Sequence, residues 1–194
     1  HTFALTFDDG PAAPTARLLD ILAEKNVKAS FFVIGQQVAG YSSVVARAVN
    51  EGHWMASHTF THPYLTSLPE WSIRHEVLET EAAVATATCV RPKIIRPPFG
   101  DTDHRVETIL HDIGYLPVYW NLDTVDWQNA WGVYDRVIAG LNQLNPGSIL
   151  HLAHDRIAES VEQVPRVIDA IRSYGYRFVT VDECVYGTGH SASR

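Results

Sequence analysis

Short apolar runs alternate with amphipathic stretches along most of the chain. Phe3 to Phe7, Ala29 to Ile34, Lys93 to Arg96, Leu116 to Tyr119, Ser148 to Leu152 and Arg177 to Thr180 read as strands. Most are nearly continuous apolar runs, as expected of parallel strands covered on both faces. Between them apolar residues recur at helical spacing. Val106, Ile109, Leu110 and Ile113 mark one helix face, with Gly114 as its cap residue. Ile157, Val161, Val164, Ile168 and Ile171 mark another, and Gly175 follows it. Leu18, Leu19 and Leu22 line a helix after the first run, and Glu70 to Thr86 carries Ile73, Val77 and Val84 with mixed charges on the opposite face. This alternation predicts an α/β fold with a parallel sheet. A length of 194 residues suits one domain, read here as 1–186, followed by a Gly/Ser-rich tail over 187–194 that is expected to fray.

Composition narrows the class. Hydrophobic residues make up 46% and charged residues 19%, a globular balance. Fifteen Lys and Arg against 22 Asp and Glu give a formal net charge of -7, with no basic stripe. Nucleic acid and anionic membrane are therefore not expected partners, whereas an uncharged glycan meets no long-range repulsion. The longest apolar stretches, near Ser30 to Ile34 and Ile149 to Ala153, fall far short of the ~20 residues that span a bilayer. The chain opens on a strand-like run rather than a signal peptide, which is compatible with a leader removed beforehand. Cys89 and Cys184 leave two alternatives open, a single disulfide or two buried free thiols.

In a parallel α/β protein, binding residues gather at the C-terminal ends of strands. Five clusters in this chain fall there. Thr6-Phe7-Asp8-Asp9-Gly10-Pro11 places two carboxylates after an apolar strand, although Asp-Gly-Pro alone is ordinary turn chemistry. His58 and His62 stand at i and i+4, which on a helical turn puts two imidazoles on one face; with a carboxylate they form a two-His-one-carboxylate metal set. Arg96-Pro97-Pro98-Phe99-Gly100 joins an arginine at a strand end to a rigid turn, suited to holding a carboxylate and aiming a backbone N–H. Asp123-Thr124-Val125-Asp126-Trp127 supplies a carboxylate beside an aromatic wall. In Leu150-His151-Leu152-Ala153-His154-Asp155, alternation sends His151 into packing or to the surface and leaves His154 at the strand end as a candidate acid.

Each cluster alone has a bland reading. Together, in this order, Thr-Phe-Asp-Asp-Gly, His-x-x-x-His, Arg-Pro-Pro-Phe-Gly, Asp-x-x-Asp-Trp and Leu-x-His resemble the motifs of NodB-type polysaccharide deacetylases, carbohydrate esterase family four. The short loops and motif variants are most like those of fungal secreted chitin deacetylases. The resemblance implies a distorted parallel (β/α) barrel of about seven strands. It implies that Asp9, His58 and His62 hold one divalent metal, zinc as first choice and cobalt as an alternative. Asp8 then resembles the general base, Arg96 its positioning partner, the Phe99 N–H an oxyanion donor, and Asp126 the carboxylate that tunes the acid His154. Trp127 and Leu152 resemble walls of an acetyl pocket. Phe99 stands where many members have tyrosine, a change that spares the backbone donor.

Trp120, Trp127, Trp131, Tyr119 and Tyr134 crowd one segment, and those outside the core could form a stacking floor for sugar rings, with Trp120 assigned to it. The expected activity is removal of N-acetyl groups from chitin or chito-oligosaccharides by a secreted or cell-wall monomer. Acetyl xylan and peptidoglycan are the alternative substrates for the same site. A non-catalytic polysaccharide-binding module is the alternative from another class, and the presence of every motif residue argues against it.

Overall fold

The computed structural model describes residues 1–145 and 147–187. Its strands are β1 (Thr2–Ala4), β2 (Thr6–Asp8), β3 (Ser30–Val33), β4 (Trp54–Ser57), β5 (Ile94–Ile95), β6 (Leu116–Pro117), β7 (Leu122–Asp123), β8 (Ile149–His154) and β9 (Arg177–Val179). The helices are α1 (Thr15–Glu24), α2 (Gly35–Val38), α3 (Ser42–Asn50), α4 (Glu70–Thr88), α5 (His104–Asp112), α6 (Val133–Leu144), α7 (Ala158–Ser173) and α8 (Val181–Tyr186). Of the expected tail, residues 188–194 lie outside the described residues.

Every strand pair is parallel. The order is β6-β5-β4-β3-β2-β8-β1-β9, with β7 also on β8. The predicted first strand is broken at Leu5 into β1 and β2, and both halves pair with β8. Its other edge meets β9 along β1 and β3 along β2. The run from β6 to β7 behaves likewise: its start pairs with β5 and its end with β8. Among the described residues no ladder joins β6 to β7, so the chain itself spans the seam of an open, distorted barrel. With β1–β2 and β6–β7 each taken as one broken strand, the sheet has the strand count expected of the family.

The main core lies between this sheet and the helices that return over it. Leu18, Leu19 and Leu22 of α1, Val137 and Leu141 of α6, and Val161, Val164, Ile168 and Ile171 of α7 meet Phe3, Leu5, Phe7, Phe31 and Ile149. The predicted cap glycines Gly114 and Gly175 both have positive φ, 76° and 80°.

Several elements escaped the periodicity. Strand β4 carries Ser57 and is preceded by His53, both buried, and it is central because backbone pairing on both edges, rather than apolarity, secures it. Helices α2, α3, α6 and α8 were not anticipated either. On α4, two residues expected on the solvent face, Glu76 and Glu81, are buried. Glu81 is sealed in by Arg91, Lys93 and the Tyr115 hydroxyl. Both cysteines are free: Cys89 is exposed, the left-handed C-cap of α4, and Cys184 is half-buried, so neither the disulfide nor a buried pair of thiols describes them. Among the described residues no helix is long and apolar enough to cross a membrane.

Candidate active site

Parallel strands put the C-terminal ends of β2, β4, β5, β7 and β8 at one end of the sheet, and the five clusters meet there. Adjacent carboxylates on a regular strand would point apart. Here β2 ends at Asp8, and Asp9 takes a left-handed φ of 70°, which turns both side chains into one pocket. Asp8, Asp9 and His58 are buried.

The His58–His62 segment is a loop rather than the helical turn expected from its spacing. Thr59 and His62 have φ of 66° and 65°, which a right-handed helix forbids. The imidazoles converge nonetheless, because backbone reversals bring them together. His58 Nδ1 lies 2.7 Å from the Arg96 carbonyl. A carbonyl only accepts, so Nδ1 carries the proton and Nε2 presents its lone pair to the pocket. That Nε2 is 3.5 Å from Asp9 Oδ1, and His62 Nε2 is 3.3 Å from the same oxygen.

One ligand atom from each of the three residues lies within 4.8 Å of the others. Asp9 Oδ1 is buried with no hydrogen-bond partner. An unpartnered buried carboxylate oxygen facing two imidazole nitrogens is the donor set of a divalent cation with open positions, so the residues fit the implied metal. Burial pushes the Asp9 carboxyl up, but His58, His62 and Arg156 outweigh it and hold it well below the usual carboxylate range. Asp9 is thus an anion, as a ligand must be.

Asp8 is gripped from the side. Arg96 is fully buried; its Nη1 donates to Asp8 Oδ1 at 2.6 Å and to the Thr6 hydroxyl at 2.9 Å, and its Nη2 donates to the Tyr119 carbonyl at 3.1 Å. The guanidinium lies 3.9 Å above the Phe32 ring. Burial lowers the Arg96 pKa and Asp8 opposes it, a balance that leaves arginine charged. With Oδ1 occupied, Asp8 Oδ2 is the oxygen facing the metal ligands, 3.7 Å from His58 Nε2.

The opposite wall holds a second carboxylate–imidazole pair. Asp126, buried, accepts from His154 Nδ1 at 2.6 Å and from the His154 N–H at 2.8 Å. Val125 precedes it with φ of 48°, a strained conformation for a β-branched residue that swings Asp126 inward. Burial pulls the His154 pKa down, but the Asp126 hydrogen bond and charge win, and the net shift is upward. Asp126 is shifted downward: burial raises it, and the bond from His154 outweighs that. His154 Nε2 points into the pocket, 3.8 Å from Asp9 Oδ2. His151 is packed rather than at the surface, the two places alternation left open, and burial holds it neutral, at about 4.

Phe99 stands at the rim with φ of 61°. Among the described residues its N–H takes part in none of the turn, loop or cap bonds, and its exposed ring stacks on Tyr64 with centroids 4.1 Å apart. Trp127 and Trp131 are exposed and Leu152 is buried. Trp120 is half-buried and packs against Gly100 and beside Arg96. Tyr119 donates to Glu107, and Tyr134 stacks on Arg166. Another cavity, about 770 Å³ and lined by His53, Trp54, Lys93 and Phe178, belongs to a different part of the molecule and includes none of these residues.

Four residues at the site were not anticipated. Arg156 donates to Asp9 Oδ2 at 2.8 Å. Glu76 accepts from the Phe60 and Thr61 N–H groups. Asp155, packed against Gly10, accepts from the Thr15 hydroxyl, and burial pushes it up to about 7. Tyr64 is the fourth. Asp155 closes the fifth motif cluster, where it had no role assigned, and Arg156 follows it directly.

The family model for polysaccharide deacetylases matches residues 1–118. The chain belongs to the polysaccharide deacetylase family. A peptidoglycan-N-acetylglucosamine deacetylase of Listeria monocytogenes is 38% identical over 187 residues, covering 95% of this chain and 38% of that protein. The chain therefore spans well under half of that relative. Among solved structures, a deacetylase described as T48 with substrate is 40% identical with a TM-score of 0.88, covering 96% of this chain and 92% of that one. The chitin deacetylase of the fungal pathogen Colletotrichum lindemuthianum is 32% identical with a TM-score of 0.89, covering 94% and 86%. In this deacetylase-family chain the residues that the family model matches end before Asp126 and His154, so that pair rests on its geometry.

Proposed function

We propose that this chain hydrolyses the acetamide of N-acetylglucosamine units in a glycan, with Asp9, His58 and His62 as metal ligands, Asp8 as base and His154 as acid. One observation carries the reading: the unpartnered Asp9 Oδ1 and two imidazole nitrogens lie between a carboxylate gripped by Arg96 and an imidazole gripped by Asp126. A divalent ion there, zinc by preference for this donor set, would polarise the acetyl carbonyl and acidify a water. Asp8, held by Arg96 at Oδ1, takes the proton of the attacking water on Oδ2. A C–O bond forms at the acetyl carbon. The Phe99 N–H donates to the oxyanion that develops there. His154 Nε2 gives its proton to the nitrogen as the C–N bond breaks, releasing acetate and a free amine. Asp126 keeps that proton on His154 until it is needed.

Chitin or chito-oligosaccharide is the first substrate reading. The exposed Phe99, Tyr64, Trp127 and Trp131 suit neutral sugar rings, and the C. lindemuthianum neighbour is named a chitin deacetylase. Peptidoglycan is the second, favoured by the name and 38% identity of the Listeria relative. Acetylated xylan would need the same residues for an ester. An extracellular or cell-wall location follows from such substrates alone.

The test is acetate release from N-acetylglucosamine tetramer. Chelation should abolish it and added zinc restore it. Asp8→Asn should lower the rate by ~10²–10⁴. Release that survives chelation and Asp8→Asn would sink the mechanism. Turnover of peptidoglycan or acetyl xylan alone would move the substrate and keep the site.

A further inference from the structure

We infer that Glu76, on α4 and outside every motif, is the positioning residue that shapes the metal-ligand loop; this rests on the metal reading above. The loop from His58 to His62 must reverse direction twice, at Thr59 and His62, with left-handed backbone at residues that have side chains. Such a path persists only where its surroundings determine it. Its backbone groups are tied at nearly every position. The His58 N–H donates to the Val33 carbonyl, the Thr59 N–H to the Ser57 hydroxyl, and the His62 N–H to the Thr59 hydroxyl. The Thr59 and Phe60 carbonyls accept from the Gly35 and Gln36 N–H groups. At the apex, the two N–H groups between the ligands both donate to one oxygen, Glu76 Oε2, at 2.8 Å from Phe60 and 2.7 Å from Thr61. The other oxygen, Oε1, accepts from the Thr61 hydroxyl at 2.7 Å.

Glu76 is the only charged side chain among these ties. Its carboxylate is buried at the loop and takes three donors, a pattern that suits an anion. Removing it would take the acceptor from both backbone donors and release the apex that spaces His62 from His58. The rest of the scaffold would remain, because Ile73, Val77 and Val84 anchor α4 independently. Glu76 therefore acts on metal affinity through loop geometry, as outer residues around a metal do.

The experiment titrates zinc into the metal-free protein against a chromophoric chelator, without substrate, for wild type, Glu76→Ala, Glu76→Gln and Glu76→Asp, with thermal melts alongside. Glu76→Ala and Glu76→Asp, whose carboxylate is one methylene short, should bind zinc ~10–100-fold more weakly. Glu76→Gln can present its amide oxygen to both N–H groups and should recover to within a few-fold of wild type. At saturating zinc, acetate release by the weak binders should return, because the chemistry itself is intact. Wild-type affinity in Glu76→Asp overturns the inference, as does a glutamine variant no better than aspartate. If Glu76→Ala does not fold, the aspartate–glutamine comparison decides. A wild type that takes up no zinc overturns the metal reading and this inference together, whereas normal zinc binding in all variants overturns this inference alone.

Discussion

Replacing Arg96 separates the positioning of the base from the stability of the barrel. Arg96 and Asp8 are both buried and 2.6 Å apart, and the guanidinium has four further neighbours in Thr6, Tyr119, Phe32 and Trp120. Arg96→Met keeps most of the apolar volume and removes the cation. Asp8 is then a buried carboxylate without a counter-charge, and breaking a pair of this kind costs ~3–5 kcal/mol. In a domain of this size each kcal/mol moves the midpoint by ~2–4 °C, so a fall of ~6–20 °C is expected. Asp8→Asn in the Arg96→Met background removes the stranded charge and should return much of the loss, with activity still absent. Urea denaturation of the four proteins, with acetate release measured in parallel, completes the cycle. An Arg96→Met protein within ~1 kcal/mol of wild type, or a double variant no more stable than the single, would refute the argument that the pair is buried and uncompensated when broken.

Three further outcomes follow from the geometry. If His154 is the acid proposed above, the rate should fall as pH rises through its raised pKa; Asp126→Asn removes the main cause of that rise and should move the alkaline limb to lower pH, and an unmoved limb would remove His154 as the acid. The same pair should stabilise the fold most between the ordinary carboxylate value of 3.8 and the ordinary histidine value of 6.5. The Asp126 contribution fades as pH drops through its lowered value and the His154 contribution fades as pH climbs through its raised one, so a wild-type minus Asp126→Asn stability difference that is flat with pH would contradict the pairing. Gly10→Ala would set a Cβ 2.1 Å from Asp155 Oδ2, and the overpacking should cost ~1–3 kcal/mol in a thermal or urea melt, whereas an unchanged melt would mean Asp155 swings aside freely.

The parts of this molecule that were legible in the sequence are those where one local cause dominates. Apolar runs produced β3 and β8, and the 3.6-residue period produced α5 and α7 with their glycine stops. The site clusters were legible because parallel topology sends every strand end to one face, whatever the loop does in between. Strand β4 was hidden because its partners, not its side chains, bury it. The breaks at Leu5 and between β6 and β7 depend on which neighbour each edge meets, and no single strand encodes that. His58 and His62 met as expected but by a different route, two left-handed residues instead of a helical turn, because helical spacing and a tight loop bring i and i+4 equally close. Glu76 stayed invisible for the usual reason: a charged residue on a helix looks solvated until the group it faces is known.

The seam between β6 and β7 bears on how the pocket can change its breadth. The Arg96–Phe99 wall hangs from the β5 side of that seam, and the Asp126–Trp127 wall is tied to β8 through the Asn121 and Thr124 N–H groups. Among the described residues the two walls are therefore joined across the gap by a few residues of chain and by no ladder. Lengthening or shortening that hinge would spread or narrow the cleft while every paired strand kept its register. A lineage, or an engineer, could refit the mouth to a bulkier polymer by editing one short connector, so long as the Tyr119 carbonyl and the Trp120 ring that hold Arg96 kept their places.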